Sequence, residues 1–395
     1  MYTTRTLSSF KTSDAAAARQ PPPQGPASGY LLLQDEQPQP PATCCWGAYN
    51  WPHTRIRQLP FPQNRILTLS YSEQHDDRSD TYSSAVLFIP VPSLPLSSNR
   101  YYVIVARGKD KGKAYTCSKE DDMGACCFCQ CINDAEPKEF DHRDIYQQME
   151  IVCYKGRFTA KPVASDGIPP SMLRKEYWDL HQSEHDDFTL VEASGVNEAL
   201  RSRLPALYSP STKAKNGDNV VVGRWYIPFV FVKEEMGLSE QVKQSAYYEI
   251  ALEQFWEQIG ACESAYGRER VAEVKSVVRV EVAYLNGTEA KCFDTHDVDG
   301  LVWFKTINSG GGRESVVKLS YLIWERIKWE ESRMGCNGGE DEKVERVEEC
   351  RGGAGGWKRF GCYVLVERFV LRRMDGSEVL MVDFRHCKKI QSIWE

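Results

Sequence analysis

The sequence predicts an α+β protein, with antiparallel hairpins and meanders packed by a few helices. The C-terminal half reads as an internal helix-plus-hairpin duplication. Three observations carry this expectation. Two β-rich runs, residues 361–374 and 377–385, flank Asp375-Gly376, and Asp-Gly between such runs signals a hairpin because a type I′ turn needs φ > 0 at both central positions. A second turn of this kind, Asn286-Gly287, separates residues 277–285 from residues 288–294. Apolar residues at helical spacing precede each hairpin, Tyr248, Leu252, Phe255 and Ile259 before one, and Val316, Leu319, Ile323 and Ile327 before the other.

The Asp375-Gly376 turn sets a register. With Met374 opposite Ser377, Phe369 faces Val382, Leu371 faces Leu380, Arg368 faces Asp383 and Arg373 faces Glu378. Opposite-charge pairs across strands contribute ~0.2–1 kcal/mol each. Arg279 and Asp294 hold the same offsets from the Asn286-Gly287 turn as Arg368 and Asp383 do from theirs, so the charge pair is expected to recur. Val278, Val280, Val282 and Phe293 fall on the apolar face. Chance agreement between two ordinary hairpins is the alternative to duplication.

Length and composition bound the rest. A chain of 395 residues with 42% hydrophobic and 26% charged residues can bury a large core and reads as globular, with two or three domains. A net charge of −6 argues against nucleic acid as the main partner. The apolar run 225–232 is far too short for a bilayer, which needs about 20 residues. Fourteen cysteines in a chain of this size, with nothing marking secretion, read as mostly reduced. Residues 1–20 faintly resemble an organelle transit peptide.

In chain order, residues 1–24 form an N-terminal extension and residues 25–202 an α+β domain with a cysteine-rich segment. Residues 203–218, rich in proline, serine and charge, are the linker, and residues 219–395 are the C-terminal α+β domain. Prolines punctuate residues 20–64 and favour extended backbone. Residues 29–34 read as a short strand, and residues 85–91, 100–106 and 113–117 as a three-stranded meander. A short strand near residues 150–154 and a helix from about Pro170 to Leu180 come next. Two loops, residues 308–313 and 335–356, interrupt the second domain.

Several runs resemble a plant family of uncharacterised proteins, domain of unknown function 1262. They are Pro23 to Tyr30, Leu59 to Asn64, Leu96 to Ile104, Thr116-Cys117-Ser118, Cys126 to Cys131, Asp144 to Gln148, Gly223 to Glu234 and Tyr363 to Leu371. The resemblance extends over nearly the whole chain and implies no activity, cofactor or catalytic residue. It also implies that the N-terminus belongs to the family's own sequence, against a transit peptide.

Among candidate chemistries the cysteines stand first. Cys126, Cys127, Cys129 and Cys131, with Cys117 upstream, include one Cys-x-x-Cys pair, half of a zinc knuckle. His142 or Cys153 could complete a set, though a second Cys-x-x-Cys is missing. Buried structural thiols are the alternative, with redox or lipid attachment behind it. His181 and His185 lie four apart, on one face of a helix, with Asp186 and Asp187 beside them. Gln182 stands where a zinc hydrolase would place its glutamate, so a solvated surface turn is the simpler reading. The glycine runs at 310–312 and 352–356 lack the Gly-Lys-Ser/Thr ending of a phosphate loop. Lys109, Lys111 and Lys113, near Arg100 and Arg107, make a basic tip that could hold phosphate groups but is more simply solvated. Trp256, Trp324 and Trp329 read as core or interface packing.

The function expected is that of a soluble, cytoplasmic, non-enzymatic plant protein that acts by binding, with a protein as partner. No catalytic, cofactor-binding or metal residue is assigned. The alternative is an enzyme with a thiol- or metal-dependent site near Cys126 to Cys131.

Overall fold

The computed structural model describes residues 1–12, 21–35, 43–44, 49–50, 53–75, 78–119, 123–126, 129–208, 219–264, 270–307, 314–336, 338–339, 341–350 and 357–395. Strands hold most of them, so the α+β expectation is corrected to a mostly β architecture. Among the described residues the longest helix is Tyr321–Arg333, and none is long and apolar enough to cross a membrane.

The expected helix through Tyr248, Leu252, Phe255 and Ile259 is instead part of the 17-residue strand Tyr247–Glu263. Its first half is buried on both faces, and its sheet neighbours lie on either side. A strand covered on both faces loses its period of two, and with Glu249, Glu253 and Glu257 four residues apart the apolar residues between them match a helical stripe by accident.

The chain forms two compact units. One comprises Met1–Ala193, Pro228–Ala246 and Asp297–Gly300, and the other Ser194–Ile227, Tyr247–His296 and Leu301–Glu395. In the first unit, β1 (Tyr2–Thr6) pairs in parallel with β2 (Gly29–Leu33). A seven-stranded sheet is built from β3 (His53–Ile56), β4 (Arg65–His75), β5 (Arg78–Pro90), β6 (Arg100–Val105), β7 (Gln148–Tyr154), β8 (Arg157–Pro162) and β9 (Asp179–Asp187), in the order β8-β7-β6-β5-β4-β9-β3. Phe61, Leu69, Phe88, Tyr101, Phe158 and Trp178 lead its core.

The pairing of β5 with β6 agrees with the expected meander, but residues 113–117 add to β6 only one bridge, Ala114 to Ile104, and β7 is the other neighbour of β6. The expected helix at 170–180 is one turn, Ser171–Arg174. Tyr177 then takes φ = 68° and the chain enters β9.

In the second unit the strands are β10 (Val220–Pro228), β11 (Tyr247–Glu263), β12 (Val271–Val278), β13 (Glu281–Leu285), β14 (Thr288–Asp294), β15 (Leu301–Thr306), β16 (Val316–Ser320), β17 (Glu342–Glu349), β18 (Arg359–Arg373) and β19 (Glu378–Trp394). Eight of them run in the order β16-β15-β14-β13-β19-β18-β11-β10, while β12 and β17 form a separate two-stranded ladder. Two helices, α1 (Glu198–Arg203) and α2 (Tyr321–Arg333), contribute buried charged side chains to this unit.

The hairpin β18–β19 has the expected register over its body: Arg368 pairs with Asp383, Phe369 with Val382 and Leu371 with Leu380. Its tip differs. Gly376 has φ = 85° whereas Asp375 is not left-handed, and the Arg373 N–H donates to Ser377 O. The loop therefore spans three residues, with glycine at the left-handed position. Val379 is left unpaired, which restores the register beyond it, so Arg372 and not Arg373 meets Glu378, at 3.1 Å.

At Asn286-Gly287 both residues do have positive φ, 48° and 79°, and Leu285 pairs with Thr288. The charge pair does not recur, however. Arg279 grips Glu289 with both terminal guanidinium nitrogens, and Asp294 contacts the His296 ring at 2.6 Å. With a strand in place of the first helix, and with Val316 and Leu319 of the second stripe in β16 and only Ile323 and Ile327 in α2, the duplication is corrected to two unlike hairpins.

Candidate functional site

The sequence-derived candidates disperse. Cys127 and the side chains of Cys126, Cys129 and Cys131 lie outside the described residues, as do residues 209–218 of the expected linker. Cys117 packs among the core side chains of the first unit, and burial pushes its thiol up to about 12, the state of an inert structural cysteine. Cys153 is exposed on β7, its thiol directed at Arg57 O. His181 belongs to a strand, where four residues span about 13 Å, so the helical face expected for His181 and His185 does not form. Asp187 is engaged by Arg65 at 3.0 Å. At the basic tip Asp110 takes both Lys113, at 2.9 Å, and Lys109, at 3.9 Å, which spends much of the positive charge internally.

Two arrangements in the second unit went unnoticed in the sequence. The first is on the surface of β14, β15 and β16. Phe293, Trp303 and Lys318 are direct cross-strand partners, and Lys291, Lys305 and Val316 form the neighbouring rung of the same face. The opposite face carries Val302, Phe304, Val317 and Leu319 into the core, so alternation alone drives these side chains outward. Lys318 Nζ lies 3.6 Å from the centre of the Trp303 ring, and Lys305 Nζ lies 5.0 Å from Trp303 and 5.6 Å from Phe293. Phe293 is 45% exposed. None of the three lysines makes an ion pair with a described carboxylate, because Glu289 is held by Arg279 and Asp294 by His296.

The second arrangement is buried. Asn197 caps α1 by accepting from the Leu200 N–H at 3.0 Å, which presents Arg201 inward, 1% exposed. Arg201 grips Glu367 of β18 through Nε and a terminal nitrogen, and donates to Glu330 Oε2 and to the Glu330 carbonyl of α2, each at 3.2 Å. Gln254 of β11, directly opposite Glu367, donates to its carboxylate at 2.7 Å and to Arg201 O at 3.1 Å. Arg326 reaches Glu330 at 2.6 Å along α2 and stacks on Trp329. These two arginines and two glutamates balance one another, the condition under which charges persist in an interior.

Glu331, whose Oε1 also accepts from an Arg201 terminal nitrogen at 3.4 Å, and His386 remain. His386 stands on β19 where the pairing with β18 shifts by three residues, a bulge that re-aims its ring. Its Nε2 lies 3.2 Å from Glu331 Oε2 and 3.4 Å from Glu367 Oε2, yet neither Nε2 nor Glu331 Oε2 makes an aligned hydrogen bond. Burial pushes the Glu331 carboxyl up to about 8 against the pull of His386. For Glu367 burial is outweighed by Arg201 and His386, which hold its carboxyl well below the usual range. The two carboxylates in turn outweigh burial at His386 and raise it.

Cys336 completes the neighbourhood. Gly335, with φ = 84°, ends α2 in a left-handed turn, so the Cys336 N–H returns to Glu331 O at 3.1 Å. Donor atoms of Glu331, Cys336 and His386 all lie within 4.8 Å of one another, and among the described residues this is the one such group of three. A pair of adjacent glutamates, Glu330 and Glu331, near the end of an amphipathic helix was the single sequence signal available. Their partners come from segments roughly 50 to 130 residues away, so no local spacing announces them.

Comparison with known proteins adds little about this unit. Among curated proteins nothing matches the chain. The solved structure "Crystal structure of Cry35Ab1" aligns with 85% of this chain and 90% of its own at 12% identity, with a TM-score of 0.43, too slight a likeness to argue from. A family model described as "Protein of unknown function (DUF1262)" matches residues 24–128, all within the first unit. The runs from Asp144 onward lie beyond that match, so what is supported is a domain of unknown function over residues 24–128.

Proposed function

We propose that this protein works by binding another protein and that the contact surface is the outer face of β14, β15 and β16. One observation carries the reading: an outward-facing aromatic rung, exposed Phe293 and half-buried Trp303, is interleaved with Lys291, Lys305 and Lys318, which have no carboxylate partner among the described residues. Like charges placed directly opposite, as Lys291 and Lys305 are, destabilise a sheet by a fraction of a kcal/mol. A cost of that kind is explained if a partner supplies the missing anions. Charge complementarity selects an acidic polypeptide segment carrying an apolar side chain for the aromatic surface. The net charge of −6 disfavours nucleic acid.

The binding reading is that of an intracellular plant protein. Free thiols at Cys117, Cys336 and Cys362 in the interior support a reducing compartment, and the resemblance to a plant family supports the source.

The test is fluorescence anisotropy of a labelled Glu/Tyr copolymer peptide titrated with the full chain, beside a labelled single-stranded oligonucleotide. Salt-sensitive, saturable peptide binding that disappears in Lys305→Glu and Trp303→Ala is expected. Absence of peptide binding, or tighter binding of the oligonucleotide, overturns the reading.

A further inference from the structure

The structure assigns a divalent metal site of zinc-like preference to Glu331, Cys336 and His386, a function independent of the binding surface. The donor set mixes one carboxylate oxygen, one thiolate sulfur and one imidazole nitrogen, the ligand types that zinc accepts together. The Glu331–His386 separation of 3.2 Å is already close to a tetrahedral edge, which for zinc is about 3.3–3.6 Å. The widest separation, up to 4.8 Å, closes by about 1 Å, and the movable member is Cys336 on the turn after α2.

A second, independent observation points to a ligand here. Glu331 Oε2 and His386 Nε2 are buried polar atoms without an aligned hydrogen bond, and they face each other. Such atoms cost free energy in an interior unless something else satisfies them. A cation between them does so for both at once.

Charge gives the valence. Arg201 with Glu367, and Arg326 with Glu330, are already balanced, and the longer contact of Arg201 at 3.4 Å engages Glu331 through Oε1, leaving Oε2 toward His386. A doubly charged ion is neutralised by a Glu331 carboxylate and a Cys336 thiolate, with His386 binding as neutral imidazole, so the interior stays neutral. Uptake releases two protons to solvent, one from the Cys336 thiol and one held between Glu331 and His386. Burial raises the Cys336 thiol, so its thiolate forms with the metal, and the Gly338 N–H donated toward the sulfur opposes that rise. Glu367, fixed by Arg201 and Gln254, stays beside the imidazole as an orienting neighbour. Three protein ligands leave a fourth position for water or for a small anion.

The experiment uses the full chain, stripped of metal and shown to be folded by circular dichroism, titrated with Zn²⁺ and with Co²⁺. One ion per chain is expected, with a thiolate-to-cobalt charge-transfer band. Cys336→Ser and His386→Gln should each weaken uptake at least ~10-fold, and a variant with Cys126, Cys127, Cys129 and Cys131 all changed to Ser should retain it. The inference is overturned if the folded chain takes up neither metal. It is also overturned if uptake survives Cys336→Ser and disappears in the four-cysteine variant. Should Cys336→Ser not fold, alkylation of Cys336 in the unmodified chain decides: slowing by Zn²⁺ supports the site, and an unchanged rate overturns it.

Discussion

The second unit carries charge in two contrasting ways. In the interior Arg201, Arg326, Glu330 and Glu367 are matched one for one, and Arg201 and Glu367 share two hydrogen bonds. On the β14–β16 face Lys291, Lys305 and Lys318 stand together without an acidic partner among the described residues. The difference arises from solvent. Water screens an exposed ammonium, so surplus charge is tolerated and stays available to a partner, whereas an unmatched buried charge costs several kcal/mol. Matched charge therefore marks structure, and unmatched charge marks a surface open to recognition.

That contrast can be broken by mutation. The largest effect is expected for Glu367→Ala, which takes from Arg201 its two-bond partner and leaves it only the single, longer bonds to Glu330 and Glu331. Chemical denaturation should show a loss of about 3–5 kcal/mol, and the double variant Arg201→Met/Glu367→Leu should recover most of it. If Glu367→Ala proves neutral, the interior charges do not form a closed electrostatic system. Next comes Arg368→Ala, which removes a two-bond partner from the 1% exposed Asp383 while Arg385 remains 3.6 Å away. A loss of about 1–3 kcal/mol is expected from the denaturation midpoint. Arg279→Ala removes a similar grip on Glu289 in solvent, where about 1 kcal/mol is the ceiling, and a loss equal to that of Arg368→Ala would remove burial as the deciding variable. Lys305→Glu should change stability by no more than about 0.5 kcal/mol while abolishing binding of the acidic peptide. A large unfolding effect there would move the lysine face from recognition to structure.

Legibility in the sequence tracked the distance between partners. The Arg368–Asp383 pair was readable because the nearby Asp-Gly turn fixes which residues meet. The last pair at the tip was not, since a three-residue loop and the unpaired Val379 cancel in register and only the side-chain contact of Arg372 reveals them. Residues 248–259 misled because burial on both faces of the first half of β11 erased the alternation that marks a strand, while Glu249, Glu253 and Glu257 recur at a helical spacing of four. Arg279 met Glu289 and not Asp294 although the turn itself was read correctly, because β13 and β14 pair over only three residues beyond it. Of the buried cluster only Glu330 and Glu331, in one helix, could attract notice; Arg201, Glu367 and His386 looked like ordinary charged residues in unrelated segments.

The sequence by itself determined what is local: the two glycine turns, the register of the hairpin body, and the short strands at 29–33 and 100–105. Short-range sterics set these, and backbone conformation at a turn depends on few neighbours. Tertiary structure alone decided that the protein is mostly β and that Glu331, Cys336 and His386 converge. Both outcomes rest on which faces are buried and against what, and burial is a property of the assembled chain.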